Sequence, residues 1–202
     1  MLVPRRSAVL VLLSAVLVTL PSRTAHAQQS MAGMSAPVTI PAGAIFTAAD
    51  VHFMQGMIAH HAQAIYMTHL AAKHDAGPRL VKLADKIEQS QVAEIHLMQN
   101  WLSRNGQSVP DTSSWRTMHM PGMLSAPQLA ALDSAKGPAF DRAFLALMIQ
   151  HHEGALAMVS DLLATPGAAQ DVNVSVFAND VQQVQTAEIG IMHAMLDQMS
   201  HD

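Results

Sequence analysis

Two pairs of adjacent histidines are the residues of this sequence best suited to chemistry. His60-His61 and His151-His152 each follow a methionine by three residues. Imidazole is the commonest protein ligand for transition metals, including copper and zinc. A single histidine on a helix is usually a hydrogen-bonded core residue, but a repeated pair with the same neighbours indicates a metal or ligand role. The alternative is a buried polar layer that only fixes the register of the helices.

Two glutamates, Glu94 and Glu188, occupy matched positions in the middle of apolar helix faces. A buried carboxylate without a partner costs several kcal/mol, so such groups are paired or bind metal. The pattern therefore predicts an internal site where side chains from facing helices converge. The alternative is that each glutamate only pairs with a histidine across the core. The predicted constellation comprises His60, His61, His151, His152, Glu94, Glu188, Met57, Met98, Met148 and Met192.

A further group of candidate ligands, Met118, His119, Met120 and Met123, lies in a weakly charged stretch between the two halves of the chain. Thioether sulfur favours Cu(I), and imidazole accepts either oxidation state of copper. Copper is therefore the expected cofactor, with another transition metal as the alternative. The competing interpretation of this stretch is an apolar plug over one end of the fold.

The composition limits both the ligands and the partners. The chain has 12 His and 15 Met but no Cys, so any metal must be held by histidine, methionine or carboxylate. It carries 15 acidic against 11 basic residues, which does not give the basic footprint of a nucleic-acid-binding protein. No nucleophile elbow or glycine-rich phosphate loop is recognisable, so a metal ion is the expected partner and no enzymatic activity is expected.

The N-terminal residues have the layout of a secretory signal peptide. Arg5 and Arg6 precede an apolar run over residues 8–20, and a small-x-small sequence ends at Ala27. The run is shorter than the roughly 20 residues that span a bilayer, which disfavours the alternative of a membrane anchor. We expect a signal peptide over residues 1–27, cleavage after Ala27, a flexible segment over residues 28–43 and a periplasmic or otherwise exported protein without a membrane span.

The rest of the chain is an internal duplication. Residues 57–64 reappear as residues 148–155, and residues 91–95 reappear as residues 185–189. Apolar residues recur at three- and four-residue steps in all four segments, which predicts helices. The expected fold is all-α: a ferritin-like four-helix bundle made of two duplicated hairpins joined by one long crossover. Its predicted parts are the first repeat over residues 44–105, the crossover over 106–136 and the second repeat over 137–199, within a bundle domain over residues 44–202.

Capping and breaking residues set the expected helix boundaries. Thr47 is the predicted N-cap of the first helix, and Pro78 opens the second. A short helical turn is expected over residues 125–135 of the crossover. The last helix is expected over residues 168–199, although β-branched residues make residues 172–177 its weakest part.

These spaced motifs resemble a bacterial family labelled domain of unknown function 305. The matching segments are residues 50–61, 91–98, 120–123 and 140–152, and the resemblance extends over residues 44–199. It implies a ferritin-like four-helix bundle that is usually exported, and some relatives are implicated in periplasmic copper binding and copper resistance. The family has no settled activity. Ala62, which stands where the second repeat has Glu153, departs from the pattern and makes the two halves unequal.

The expected function is therefore copper binding for periplasmic buffering, resistance or delivery, with a second copy or a copper-handling protein as the partner. One alternative is a structural or partner-binding bundle without metal. The other is a di-iron oxidoreductase, which requires Glu-x-x-His on two helices. Leu97 and Ile191 stand where those histidines would be, which disfavours the di-iron alternative.

Overall fold

The computed structural model describes residues 38–201, and within them five α-helices and one 3-10 turn form the fold without any β-strand. The predicted all-α bundle is confirmed. No helix in this part of the chain combines the length and the apolar character needed to cross a membrane. The expected signal peptide, its cleavage site and residues 28–37 lie outside the described residues. The elements are α1 Ala48–Ala71, α2 Pro78–Arg104, the 3-10 turn Thr112–Arg116, α3 Ala126–Ser134, α4 Gly137–Ala164 and α5 Val172–Met199.

The four long helices form two hairpins. α1 packs along α2 and α4 packs along α5, and the hairpins meet chiefly where α1 lies against α4. Thr47 caps α1 with a capping box that includes Asp50, as the sequence predicts. The last helix begins at Val172 rather than at residue 168, because Asp171 accepts hydrogen bonds from Asn173 N and Val174 N and so caps it there.

The repeated aspartates, Asp50 and Asp141, tie each hairpin to the turn of the other. The Ala169 N–H, in the α4–α5 turn, donates to Asp50 Oδ1 at 2.6 Å. The Gly77 N–H, in the α1–α2 turn, donates to Asp141 Oδ2 at 3.1 Å. The duplication is thus visible in the contacts between the hairpins as well as in the sequence.

Two apolar clusters fill the bundle, and a polar layer lies between them. The first cluster gathers around Phe53, Trp101 and Phe177. The second gathers around Ile87 and Phe140. Each long helix contributes to both clusters and changes from one to the other near the middle of its length. At that level lie the buried polar side chains His60, His61, Gln91, His151, His152, Gln185 and Glu188.

The crossover covers the outer side of α1 and α4. Residues 118–124, which we call the strap, run across both helices. Gln63 on α1 bonds the strap twice, accepting from Leu124 N at 2.6 Å and donating to Leu124 O at 3.1 Å. On α4, a Cβ added to Gly154 would lie 2.0 Å from Pro121 O, so only glycine allows this close approach. The strap is therefore fixed by specific contacts to both hairpins.

Candidate metal centre

All four histidines of the two pairs are fully buried in the polar layer. His60 and His61 come from α1, and His151 and His152 come from α4. The rings of His60 and His151 lie 3.8 Å apart between their centroids, at an angle of 43°. The duplicated segments therefore meet inside the bundle, and their contact joins the two hairpins.

Each glutamate of the constellation is paired with one histidine. His61 Nε2 lies 2.5 Å from Glu94 Oε2, and His152 Nε2 lies 2.8 Å from Glu188 Oε2. The Glu94 side chain is 18% exposed and that of Glu188 only 6%, so the second pair is the more deeply enclosed. Within each hairpin, the first helix supplies the imidazole and the second helix supplies the carboxylate that orients it.

The other two histidines have different surroundings. His60 Nε2 lies 3.1 Å from the carbonyl oxygen of Pro121 in the strap. A carbonyl oxygen only accepts hydrogen bonds, so Nε2 of His60 carries the proton and Nδ1 carries the lone pair. His151 has no hydrogen-bond partner on either ring nitrogen. Three of the four imidazoles are thus held through Nε2 by an oxygen atom.

The electrostatics of the layer keep its central imidazoles neutral. Burial, with a further contribution from the nearby His61, lowers the pKa of His60 to about 3. Burial and the neighbouring His60 lower the pKa of His151 well below its usual value. A neutral imidazole has a lone pair available for a metal, whereas an imidazolium does not.

The layer contains a set of buried polar atoms that the protein itself does not satisfy. Nδ1 of all four histidines lacks a hydrogen-bond partner within the protein, as do both amide atoms of Gln91 and Oε1 of Gln185. Such atoms are rare in folded proteins and point to a bound water, ion or ligand. The glutamines were not among the predicted ligands, although the repeated Gln-x-x-Glu spacing could have marked them.

The four methionines predicted near the site are all buried but do not gather in one place. Met57 and Met98 belong to the first apolar cluster, whereas Met148 and Met192 belong to the second. Among the side chains of residues 38–201, no three His, Asp or Glu residues are placed where they could share a metal ion. Of the predicted constellation, the histidines and glutamates meet in one layer, where each carboxylate is paired with one imidazole, whereas the methionines lie in the apolar clusters.

The predicted ligands of the crossover are also separated. Met118 is buried, Met120 and Met123 are half-buried, and His119 is exposed. His119 Nδ1 lies 3.2 Å from the carbonyl oxygen of Thr117, which is a local contact within the loop. The strap reaches the histidine layer through the Pro121 carbonyl.

An open groove of about 430 Å³ lies beside the bundle, between α1, α2 and the 3-10 turn. Ala62, Tyr66 and Trp115 are among its lining residues, and none of the predicted ligands lines it. Ala62 therefore faces a groove, while its counterpart Glu153 is exposed. This difference gives the halves unequal surfaces and leaves the histidine layer unaffected.

Solved structures with the same fold include two from the DUF305 family. A protein from Streptomyces coelicolor, described as secreted, is 24% identical with a TM-score of 0.67, and the match covers 75% of this chain and 94% of that one. A fragment from Deinococcus radiodurans is 31% identical with a TM-score of 0.66, over 76% of this chain and 98% of that one. No curated protein matches the chain significantly.

A third similar structure is that of CopM in its Cu(I)-bound form. It is 30% identical to this chain with a TM-score of 0.59, and the match covers 74% of this chain and 96% of that one. CopM has also been solved in Cu(II)-bound and Ag-bound forms. The family profile for the domain of unknown function DUF305 matches residues 50–199. The chain therefore belongs to the DUF305 family.

Proposed function

We propose that this protein binds copper and that its buried histidine layer is the internal site. The observation that carries the proposal is the arrangement of His60, His61 and His152, each of which fixes Nε2 on an oxygen and leaves a buried Nδ1 unpartnered. An unsatisfied buried polar atom costs about 1–3 kcal/mol, and a cation held by these lone pairs would remove that cost. Imidazole ligands in a protein without cysteine suit copper.

In this proposal Glu94 and Glu188 support the ligands. A carboxylate bonded to one nitrogen of a histidine fixes the ring and makes the other nitrogen more basic toward a metal. Their negative charges would also offset the charge of a bound cation in a region of low dielectric constant. This accounts for carboxylates in the layer without requiring them to touch the metal.

Copper is favoured over other metals by two further features. The relative CopM has been crystallised with Cu(I), Cu(II) and silver. The half-buried thioethers of the strap would suit Cu(I), which soft ligands prefer. We propose that the chain buffers, detoxifies or delivers copper in the periplasm or another exported location, with a signal peptide over residues 1–27, and that it binds metal without catalysing a reaction.

Metal retention by the purified protein tests this proposal. Samples are incubated separately with Cu(I) under anaerobic conditions, Cu(II), Zn(II) and Fe(II), then desalted and analysed for bound metal. We expect copper to be retained. The double variant His61→Gln/His152→Gln, which keeps polar side chains of similar length, should lose most of it, because glutamine supplies no imidazole nitrogen.

The matched control is the double variant His96→Gln/His193→Gln, because both of these histidines are exposed and lie outside the layer. It should retain copper like the wild type, and circular dichroism checks that all variants are folded. The proposal is overturned if the wild-type protein keeps no copper, or if the layer variant keeps as much as the control.

A structural role without metal is the alternative that the His61–Glu94 and His152–Glu188 pairs support. These pairs satisfy one nitrogen of each histidine and could specify packing between the helices of each hairpin. This role predicts that substitutions in the layer change the melting temperature alone. The metal-retention experiment separates the two functions because only the first predicts a loss of bound copper.

A further inference from the structure

We propose that Met120 and Met158 form a second site for a soft metal ion over Gly56, outside the histidine layer, through which Cu(I) reaches His60. Met158 and Gly56 are not part of the constellation predicted from the sequence. The inference rests on the proposed function for the identity of its cargo. Its test does not require the histidine layer to bind copper.

The two methionines come from different elements and end at the same point on α1. A Cβ added to Gly56 would lie 3.3 Å from Met120 Sδ and 3.4 Å from Met158 Cε. Met120 belongs to the strap and Met158 to α4, and both are half-buried, so solvent reaches them. Methionine side chains are flexible, so small rotations bring two thioethers that border one point onto a common ion.

Gly56 provides the space for this pair. A glycine inside a helix destabilises it relative to alanine, so its presence in the middle of α1 needs a packing reason. The matched position of the second repeat is Leu147. A leucine at position 56 would fill the region that the ends of the two methionines occupy. The duplication therefore departs from symmetry at the place where the strap lies on α1.

The position of the pair connects it to the buried layer. His52, Gly56 and His60 follow one another at four-residue steps along one face of α1, and His52 is only half-buried. Met120 precedes Pro121, whose carbonyl oxygen is bonded to His60. Candidate ligands thus follow one another from the half-exposed His52, past the two thioethers, to the His60 imidazole in the layer.

Apolar packing is the competing explanation for two methionines in contact with a helix. Leucine has similar volume and apolar character but no sulfur, so Met→Leu substitutions preserve packing and remove only the soft ligand. Met67 occupies the position of the first repeat that matches Met158, and it is fully buried in the second apolar cluster. Met67→Leu is therefore the matched control.

The test uses Ag(I) as a soft probe that does not change oxidation state. We expect the X-ray absorption spectrum of wild-type protein loaded with excess Ag(I) and then desalted to contain sulfur scattering. In Met120→Leu/Met158→Leu that sulfur signal should be lost, and transfer of Cu(I) from a chelator should slow severalfold. Met67→Leu should behave like the wild type in both measurements.

A measurement on a second variant protein separates this inference from the proposed function. In the layer variant His61→Gln/His152→Gln, the sulfur-bound Ag(I) should persist even if the buried site is lost. The inference is overturned if the wild-type spectrum contains only nitrogen and oxygen ligands. It is equally overturned if the double leucine variant takes up Cu(I) at the wild-type rate.

Discussion

Three of the four imidazoles of the layer are oriented by the oxygen atom that lies against their Nε2. Glu94, Glu188 and the Pro121 carbonyl fill that role for His61, His152 and His60. The three acceptors come from α2, α5 and the strap, so every one of these rings is oriented by an element other than its own helix. The tautomer of each of these three rings therefore depends on tertiary contacts.

Replacement of Glu188 by glutamine tests the supporting role of the carboxylates. Glutamine keeps the size of the side chain but removes the charge that polarises His152. We expect copper affinity to fall roughly 10- to 100-fold while the protein stays folded. Competition with a copper chelator measures the affinity. Glu153→Gln, on the exposed side of α4, is the control and should leave affinity unchanged.

The metal-free protein should lose stability on mild acidification. His60 has a pKa of about 3 in the folded state against 6.5 for an unperturbed histidine. Between pH 3 and pH 6.5 the unfolded chain binds a proton at His60 that the folded protein does not bind. The contribution of His60 to the free energy of unfolding is therefore complete above pH 6.5 and declines toward pH 3. His60 alone contributes a slope of at most about 1.4 kcal/mol per pH unit.

Urea unfolding at neutral pH and at about pH 5 measures this slope. His60→Gln removes the titrating group and should reduce the slope, while His151 and His52, whose pKa values are also lowered by burial, keep part of it. His193→Gln, at an exposed position of α5, should leave the slope unchanged. Equal slopes in the wild type and His60→Gln would contradict the assignment of this acid sensitivity to His60.

The sequence predicted that the histidines and glutamates meet inside the bundle, but not how they pair or which other polar side chains join them. Periodicity could not decide between His60 and His61, and both are buried because α2 covers one side of α1 and the strap covers the other. The pairing of Glu94 with His61 was one of two open alternatives. Gln91 and Gln185 were not among the predicted ligands, because the repeated Gln-x-x-Glu spacing does not by itself show that both amides are buried beside the histidines.

The strap is the element whose position depends most on single glycines. A Cβ added to Gly154 would lie 2.0 Å from Pro121 O and 2.4 Å from Pro121 C. Both are backbone atoms that cannot rotate away, so Gly154→Ala must displace the strap. We expect a loss of roughly 1–3 kcal/mol in the free energy of unfolding, measured in urea.

Gly190→Ala is the matched control for that substitution. Gly190 is also inside a long helix, but a Cβ there would meet nothing within 4 Å. We expect it to stabilise the protein by about 0.5–1 kcal/mol, because alanine favours the helix. If both substitutions stabilised the protein equally, the close contact between the strap and α4 would be refuted.

Helix boundaries followed from local signals where those signals were strong. Thr47 and Pro78 mark helix starts in both the sequence and the structure, and α4 begins at residue 137, the predicted start of the second repeat. The 3-10 turn Thr112–Arg116 was not expected, because its packing of Trp115 against Tyr66 is a tertiary contact between distant parts of the chain. Local propensity predicted the helices better than the path of the loop between them.

For the whole molecule, metal binding should be linked to global stability. His60 and His151 join the two hairpins, so an ion held in this layer would stabilise only the folded bundle. At free copper about 100 times the dissociation constant, the free energy of unfolding should rise by about 2.7 kcal/mol. For a protein of this size, each kcal/mol of added stability raises the melting temperature by roughly 2–4 °C.

Differential scanning calorimetry of the metal-free and copper-loaded protein measures this rise. His61→Gln/His152→Gln should abolish it, whereas His96→Gln/His193→Gln should preserve it. An equal rise in both double variants would place the stabilising ion outside the layer.

The duplication in sequence predicted the bundle and its central layer, since copies of one hairpin can meet through the same side chains.

The glycines under the strap have no glycine counterparts in the opposite repeat: Gly56 matches Leu147, and Gly154 matches Gln63. The strap therefore fits over α1 and α4 in one orientation only, since turning the bundle about its internal symmetry axis would place bulky side chains beneath it. The two hairpins therefore cannot exchange their positions under the strap. A molecule built from two copies of one hairpin thereby acquires two different sides, and the close approach of the strap is possible on only one of them.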